Sequence, residues 1–436
     1  MKGFSFLPRQ FFIRKRYKSR TVNKDQNLIN THIMESSKKN TSDSSLFKIA
    51  VVGGGIGGLT LASVLRKTYN IKCTVFELDE TENSRNQGGS LDLHVHSGQL
   101  ALEKAGLTDE FQKHARYQGE ALVITDKTGK AFYQEAGGDG PTGTDHDRPE
   151  IDRTILRHML IESLDEDTIQ WGKKIIKIEE DTKDNHTHRL TFQDGQTATF
   201  DLVVGADGAW SKIRKFVSDV NPFYTGIFFA EVCLSNADID YPAASKLVGH
   251  GSYIALQDNK GLLCQRNGDG SIRIYVTIRV EENDISQVDF SNPENPRKYF
   301  LETFSDWDDS LKVFIKEAPG FIPRGFYMLP TDHTWKSHPG VTLIGDAAHL
   351  MSPFAGEGAN MAMLDGTKLA AAIAEIVHNG KDLATTIEKF EKDMHETVVG
   401  PATESAKNMD MFMSDDAPHG VVSFFETMMA TIAPPQ

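Results

Sequence analysis

Apolar residues along this chain follow two patterns, which change near residue 223. Before that point, short and mostly apolar runs, such as residues 49–52 and 201–207, alternate with segments of helical periodicity. Such runs are typical of parallel strands that are buried on both faces. From residue 223 to about 340 the strands are longer and rich in aromatic and β-branched residues, and turn sequences at 258–261 and 267–270 separate them. The pattern predicts an α/β domain that is interrupted by an antiparallel sheet.

Residues 48–77 predict a strand, a glycine turn, a helix and a second strand that ends in an acid. Gly53 turns the chain, Gly55 lets the backbone approach a pyrophosphate, and Gly58 lets the helix pack against the strand. Glu77 can accept hydrogen bonds from ribose hydroxyls and would repel a 2′-phosphate. The stretch predicts a site for an ADP-containing cofactor and leaves open whether this is NAD or FAD.

Two later strands also end in an acid. Asp207 closes the sequence DLVVGAD, and Asp346 follows the strand that begins near residue 340. Carboxylates at the carboxyl ends of parallel strands lie where ligands bind in such sheets. Beyond Pro353, the main-chain N–H groups of residues 356–360 open a helix and can stabilise negative charge. These features predict the second half of a cofactor site.

Composition argues against several other functions. The formal charge of −14 disfavours a general nucleic-acid binder, because phosphate contacts need a basic face. No run reaches the ~18 apolar residues that span a bilayer. Cys73, Cys233 and Cys264 lie far apart in strand-like runs, so we expect all three to be reduced residues of the core. His186 and His188 lie in a polar hairpin loop without further ligands, so we expect no metal site there.

The beginning of the chain differs from the rest. Up to Lys24 it carries basic residues interleaved with phenylalanines and no acid. This composition is similar to that of a mitochondrial presequence, although it is poor in serine. The alternatives are a disordered basic tail and a start of the protein at Met34. We expect a cytoplasmic protein, with mitochondria as the alternative location and with the role of residues 1–33 left open.

Taken together, the three stretches resemble the FAD-dependent aromatic hydroxylases with the para-hydroxybenzoate hydroxylase fold, over about residues 47–407. The shared sequences are GGGIGGLTLA with Glu77, GADG followed by SKIRK, and GDAAHLMSPFAGEGAN. The sequences GGSLDLH, EIDRTILR and FSDWDDSLK are similar to those of a nearer group, the tetracycline-inactivating flavin monooxygenases.

The resemblance implies an α/β fold in which a Rossmann-like FAD-binding domain carries an inserted antiparallel β-sheet substrate domain and a C-terminal helix. The segments are a basic extension (1–46), the two parts of the FAD-binding domain (47–222 and 340–387), the substrate domain (223–339) and a C-terminal helical segment (388–436).

The resemblance also implies which residues bind non-covalent FAD. They are Gly53, Gly55, Ile56, Gly57, Gly58, Glu77, Asp92, Arg153, Asp207, Asp346, Pro353, Gly356, Gly358, Ala359 and Asn360. Arg85 matches an arginine linked to NADPH binding in the tetracycline enzymes. Because the chain has no second nucleotide fingerprint, NAD(P)H would bind transiently.

The implied activity is that of a monooxygenase. NAD(P)H would reduce FAD, O₂ would form a flavin C4a-hydroperoxide, and one oxygen atom would hydroxylate an aromatic or polycyclic phenol or enol. The polar contacts to tetracycline do not recur, and Ser252 and Arg273 stand at two of their positions. Arg273 and His250 are the candidate substrate residues; the alternatives are a cross-strand surface pair and a loop histidine. No catalytic base is assigned.

Two other functions remain open at this point. One is an FAD-dependent oxidase or reductase that inserts no oxygen, and the other is a nonenzymatic FAD-binding protein. The expected partners are a small-molecule substrate and O₂, without nucleic acid and without a transmembrane segment. We expect a monomer or a weak homodimer.

Overall fold

The computed structural model describes residues 47–84, 88–138, 140–141, 147–181 and 187–432. The strands are β1 (Ile49–Val52), β2 (Thr74–Phe76), β3 (Ser90–Asp92), β4 (Leu122–Thr125), β5 (Ala131–Glu135), β6 (Glu150–Asp152), β7 (Ile169–Gln170), β8 (Ile175–Glu180), β9 (His188–Phe192), β10 (Thr197–Phe200), β11 (Leu202–Gly205), β12 (Phe223–Leu234), β13 (Ser252–Gln257), β14 (Lys260–Arg266), β15 (Ile272–Arg279), β16 (Ile322–Met328) and β17 (Val341–Leu343).

The helices alternate with these strands in the first part of the chain and cluster at its end. They are α1 (Ile56–Tyr69), α2 (Leu100–Lys104), α3 (Thr108–His114), α4 (Arg153–Glu162), α5 (Arg214–Val217), α6 (Ala237–Asp240), α7 (Pro242–Val248), α8 (Glu282–Ile285), α9 (Glu294–Thr303), α10 (Val313–Lys316), α11 (Asp346–His349), α12 (Gly358–Asn379), α13 (Leu383–Phe412) and α14 (His419–Ile432). A π-helical turn, Val95–Gln99, leads into α2.

A five-stranded parallel sheet holds the predicted cofactor strands side by side. Its order is β17-β11-β1-β2-β7. The strand β1 lies at its centre and all four of its residues are buried, as a central strand with two covered faces requires. Because the strands are parallel, the ends of β1, β2, β11 and β17 open onto one edge.

The helices α1 and α12 pack against each other through glycines. A Cβ atom placed on Gly57 would lie 3.2 Å from Ala362, and one on Gly366 would lie 2.9 Å from the carbonyl oxygen of Gly57. These distances leave no room for larger side chains at the crossing. The first turn of α12 is therefore held beside the glycine turn that precedes α1.

A second, seven-stranded sheet is largely antiparallel and has the order β16-β12-β15-β14-β13-β4-β5. Five of its strands come from the long-strand region beyond residue 223. The other two, β4 and β5, come from residues 122–135, and β4 joins the sheet parallel to β13. This arrangement confirms the predicted fold class, with β4 and β5 as strands that the local pattern did not assign to this sheet.

The two faces of the seven-stranded sheet pack against different parts of the protein. Alternate residues of β15, such as Ile274 and Val276, face a core formed with α7, α9 and α10. Tyr275 faces the other way, into a core that includes Phe354 of the loop before α12 and Phe412 of α13. The helix α13 also packs on the parallel sheet through Ile387 and Phe390. It therefore connects the two sheets.

Among the described residues, no helix combines the length and the hydropathy needed to cross a bilayer. The three cysteines are free; Cys264 is buried, and Cys73 and Cys233 are partly buried.

Candidate active site

The glycine turn between β1 and α1 combines tight packing with one open position. Gly53 has φ +112°, and a Cβ atom there would lie 2.3 Å from the carbonyl oxygen of Ala206. At Gly58 the corresponding distance, to the carbonyl oxygen of Gly53, is 2.2 Å. At Gly55 a Cβ atom would meet nothing within 4 Å. The turn thus leaves open space directly in front of α1.

The amino end of α1 is not capped by any side chain. Gly55 is the N-cap residue, no side chain bonds to the first amides, and the first turn contains no acid. Ile56 is buried and Gly57 packs against α12, so both shape the turn through their packing. Uncapped amides beside open space suit an anionic ligand such as a pyrophosphate.

Glu77 lies beside this turn and is oriented towards it. Its carboxylate accepts hydrogen bonds from Gly54 N (2.6 Å) and Asp79 N (2.9 Å), and only 4% of the residue is exposed. Arg157 of α4 donates from Nε to the carbonyl oxygen of Gly54 at 3.1 Å. Arg157 therefore fixes the same turn from the other side, a contact that the sequence did not predict.

Asp207 and Asp346 lie at the ends of neighbouring strands, as predicted. The Asp207 carboxylate accepts hydrogen bonds from Ser211 Oγ and from Lys212 N, so it caps the turn that follows β11. Burial raises its pKa, and these hydrogen bonds oppose the rise. Asp346 begins α11 and is partly exposed.

Arg214 connects these two strand ends. Its guanidinium group is buried and donates to the carbonyl oxygens of Ala209 (2.6 Å) and Ala347 (3.0 Å). Burial lowers its pKa, which the charges of Asp207 and Asp346 partly offset. In the sequence Arg214 is only one residue of the shared stretch SKIRK, whereas the structure places it under the predicted site.

The loop before α12 is buried and closely tied to β3. Pro353 and Gly356 are buried, and Gly356 has φ +67°. The amide of Asn360 donates from Nδ2 to the carbonyl oxygens of Asp92 (2.9 Å) and Gly356 (3.2 Å), and its Oδ1 accepts from His94 N (2.9 Å). The Asn360 side chain therefore holds the loop in place through protein contacts. Gly358 and Ala359 are partly exposed, so their main-chain atoms are accessible at this end of α12.

Four buried ionisable groups lie between β3 and the start of α12. His94 Nε2 is 3.1 Å from Asp92 Oδ2, and His94 Nδ1 is 3.3 Å from Glu357 Oε2. Arg148 is the fourth group; it is 7% exposed and its charge acts on His94. Burial acts to lower the pKa of His94, but the net shift is upward, chiefly because of Glu357 and also Asp92. Only Asp92 of this group was predicted.

Arg153 lies where the two sheets meet. It is the first residue of α4, and Asp152 before it accepts hydrogen bonds from Ser90 and Gly268 instead of capping the helix. Burial lowers the pKa of Arg153, and the nearby Asp346 and Tyr275 partly offset this. Arg153 is thus close to a strand end of the parallel sheet and to the face of the second sheet.

The facing surface of the second sheet carries a compact charged cluster. Glu231 of β12 pairs with Arg273 Nη1 and, at 3.0 Å, with Arg324 Nε of β16. Burial raises the pKa of Tyr275 well above its usual value, and Arg273, Arg153 and Arg324 act against that rise. The charges of three guanidinium groups, two from the second sheet and one from α4, therefore act on one tyrosine hydroxyl.

Glu231 should be the most sensitive member of this cluster for stability. A Glu231→Ala substitution leaves Arg273 and Arg324 facing each other without their shared anion, so we expect a loss of about 3 kcal/mol in the free energy of unfolding. Urea denaturation measures this loss. Glu302→Ala, at an exposed α9 position on the other side of the sheet, is the control and should change little. If the two variants were equally stable, that result would contradict the idea that the cluster is shielded from water.

The structure does not bring His250 together with Arg273. His250 is exposed in the turn before β13, and its charge acts on Asp238 of α6, whereas Arg273 is 4% exposed on the facing surface. Arg85 and His186 lie outside the described residues. Within the described part of the chain, no group of three or more His, Cys, Asp or Glu residues is arranged to hold a metal ion.

Among the site residues that escaped sequence analysis are Arg214, His94, Glu357, Glu231 and Tyr275. Glu231 had a usable signal, because it is the one acid within the strand sequence FYTGIFFAEVCL. Tyr275 follows Arg273 by two positions and so shares its face. His94, Glu357 and Arg214 gave no comparable signal, since their contacts join segments that are far apart in sequence.

Known proteins are similar to this chain in sequence or in fold. The family model described as FAD binding domain matches residues 47–399. Monooxygenase asqM of Emericella nidulans is 31% identical over 380 residues, which are 76% of this chain and 84% of that protein. The crystal structure of Klebsiella pneumoniae HpxO complexed with FAD and uric acid matches with a TM-score of 0.70 at 20% identity, covering 88% of this chain and 93% of that chain. Tetracycline destructase Tet(51) matches with a TM-score of 0.65 at 19% identity, covering 90% and 100% of the two chains.

Proposed function

Since this chain belongs to the FAD-binding-domain family of flavin-dependent monooxygenases, we propose that it uses NAD(P)H and O₂ to hydroxylate an aromatic or polycyclic phenol or enol. The observation that carries this substrate class is the cluster of Arg153, Arg273 and Arg324 around the Tyr275 hydroxyl. This surface offers three guanidinium groups as donors, with Glu231 and Asp346 among the acids that act on them. Such a surface favours a ligand with a partly or fully ionised oxygen.

The residues around the first sheet fit FAD. The open position at Gly55 and the uncapped amides of α1 suit its pyrophosphate, and Glu77 beside them suits the adenosine ribose. Asp346 would bind near the ribityl chain, and Asp92, Arg153 and the main chain of residues 356–360 would lie against the ring. Asp207 would act through the turn that it caps. When bound, FAD accepts a hydride from NAD(P)H and activates O₂.

The proposed cofactor site also suggests a role for each segment of the chain. We propose that residues 47–222 and 340–387 bind FAD, residues 223–339 bind the substrate with Arg273 among the contacts, and residues 388–436 connect the two. Arg85 is proposed to contact NAD(P)H. The protein would act as a monomer or weak homodimer in the cytoplasm, or in mitochondria if its basic beginning is a presequence.

A single set of assays tests the proposed function. The purified protein should show a flavin spectrum, NAD(P)H should bleach it faster in the presence of a suitable phenol or polycyclic enol, and aerobic turnover under ¹⁸O₂ should place one ¹⁸O atom in the product. Hydrogen peroxide without labelled product would identify an oxidase instead. A flavin that NAD(P)H never bleaches would identify a nonenzymatic FAD-binding protein.

A further inference from the structure

Glu357 occupies an unusual place for a carboxylate that does not cap a helix. It is the N-cap residue of α12, which has 22 residues, yet its side chain makes no hydrogen bond to the first amides of that helix. An acidic side chain at this position is normally drawn to those amides, because they carry the positive end of the helix dipole. In this chain the carboxylate instead faces His94 Nδ1 at 3.3 Å.

The other contacts of His94 fix its ring in this orientation. Its Nε2 atom lies 3.1 Å from Asp92 Oδ2, and its main-chain N donates to Asn360 Oδ1 at 2.9 Å. His94, Asp92 and Glu357 are 9%, 6% and 4% exposed, so these contacts are shielded from water. A charged imidazolium between two carboxylates suits such a buried position, because it hydrogen-bonds to Asp92 and attracts Glu357 by its charge.

The charges that act on His94 are matched when His94 itself carries a proton. The groups that face His94 are Glu357 at the start of α12, Asp92 on β3 and Arg148 before β6. Two cations then oppose two anions. Without the proton, one negative charge remains buried beside the amino end of α12, and the attraction that holds the Glu357 carboxylate away from that end is lost.

We propose that His94 is a positioning residue that holds the Glu357 carboxylate away from the first amides of α12, so that these amides stay available to the flavin ring. This rests on the proposed function, in which FAD lies against that helix end. When His94 loses its proton, the carboxylate turns to the amides and competes with the cofactor. The affinity for FAD therefore falls as the pH rises through the folded-state pKa of His94.

His94→Gln and the double variant His94→Gln/Glu357→Gln test this role. In His94→Gln we expect FAD, measured by its fluorescence at pH 6.5, to bind about 10-fold more weakly, because a charge-assisted contact is lost and a carboxylate is released. In the double variant the Glu357 carboxylate that would turn to the amides is absent, so we expect most of that loss to be recovered. If His94 only filled space, the second substitution would recover nothing, and that result would overturn the proposal.

The pH dependence of thermal stability gives a readout that needs no cofactor. The pKa of His94 is raised in the folded protein, so its stabilising effect is complete below its unfolded pKa of about 6.5 and is lost as the pH rises through the folded value. The difference in Tm between the wild-type and His94→Gln apoproteins should shrink over that range. The control is His96→Gln, an exposed position in the same segment, which should follow the wild type.

Glu357→Gln keeps the test decisive if His94→Gln fails to fold. This variant should bind FAD with a flatter pH profile than the wild type, because the anion that would turn is absent. An equally steep profile would overturn the proposal. A wild-type protein that binds no FAD at any pH would instead refute the proposed function, while wild-type binding that His94→Gln leaves unchanged would refute only the role of His94.

Discussion

A Gly55→Val protein is expected to fold normally and to lose FAD. Gly55 has extended backbone angles (φ −80°, ψ 177°) that valine adopts easily, and a Cβ atom there meets no protein atom within 4 Å. The new side chain instead fills the space in front of the α1 amides. Losing about two charge-assisted hydrogen bonds to the pyrophosphate should raise the Kd for FAD at least about 100-fold. Titration of the apoprotein with FAD measures this, and thermal unfolding of the apoprotein checks the fold.

Gly58→Ala is the matched contrast within the same turn. Its Cβ atom would lie 2.2 Å from the carbonyl oxygen of Gly53, so the strand and the helix must separate and the protein itself should be destabilised. If Gly55→Val bound FAD like the wild type, the open position would not face the pyrophosphate. If instead it lost stability as Gly58→Ala does, the space at Gly55 would not be open.

Replacing Arg214 by alanine is expected to weaken both the fold and the cofactor site. The substitution leaves the carbonyl oxygens of Ala209 and Ala347 buried without their donors and opens a cavity between the ends of β11 and β17. We expect the free energy of unfolding to fall by about 3 kcal/mol. Because Asp346 adjoins Ala347, FAD affinity should fall as well. Urea denaturation and FAD titration measure the two effects.

Lys215→Ala is the control for Arg214→Ala. Lys215 is the next residue of α5, carries the same charge and is exposed. Its removal should leave stability and FAD affinity close to those of the wild type. Similar losses in both variants would mean that net charge matters, and they would contradict a specific bridge between the strand ends.

The position of the charged cluster supports the proposal that the second sheet binds the substrate. Glu231, Arg273 and Arg324 come from three adjacent strands, whose antiparallel pairing brings their side chains to one face. The same face carries Tyr275, and Arg153 approaches it from α4. A ligand between the sheets would thus meet the proposed flavin site on one side and a positively charged surface on the other.

Much of the cofactor half of the site could be predicted from the sequence. The glycine spacing, Glu77, Asp207 and Asp346 lie at the ends of strands that the apolar runs already indicated, and the structure gathers those ends at one edge of a sheet. The Asp207 carboxylate caps the following turn, and its role towards a cofactor stays a prediction. The local sequence is enough to predict such residues, because their positions depend only on a turn and on the ends of adjacent strands.

The substrate half could not be predicted in the same way. Arg273 lies on the facing surface and its contact with a substrate stays a prediction, whereas His250 is exposed near α6. The strands β4 and β5 join the second sheet from residues 122–135, and β4 pairs with a strand more than a hundred residues away. An alternating pattern reveals which residues share a face, while the partner of that face depends on the whole fold.

The sequence alone determined the α/β class, the strand and helix of the nucleotide turn and the family that its motifs resemble, because these follow from local spacing and from residues that a tight turn requires. Only the tertiary structure decided that Arg214 joins two strand ends, that Glu231 pairs two arginines and that His94 lies between Asp92 and Glu357. Each of those contacts joins residues that are distant in the chain. Their energies depend on burial and on the distance between charges, which no local pattern records.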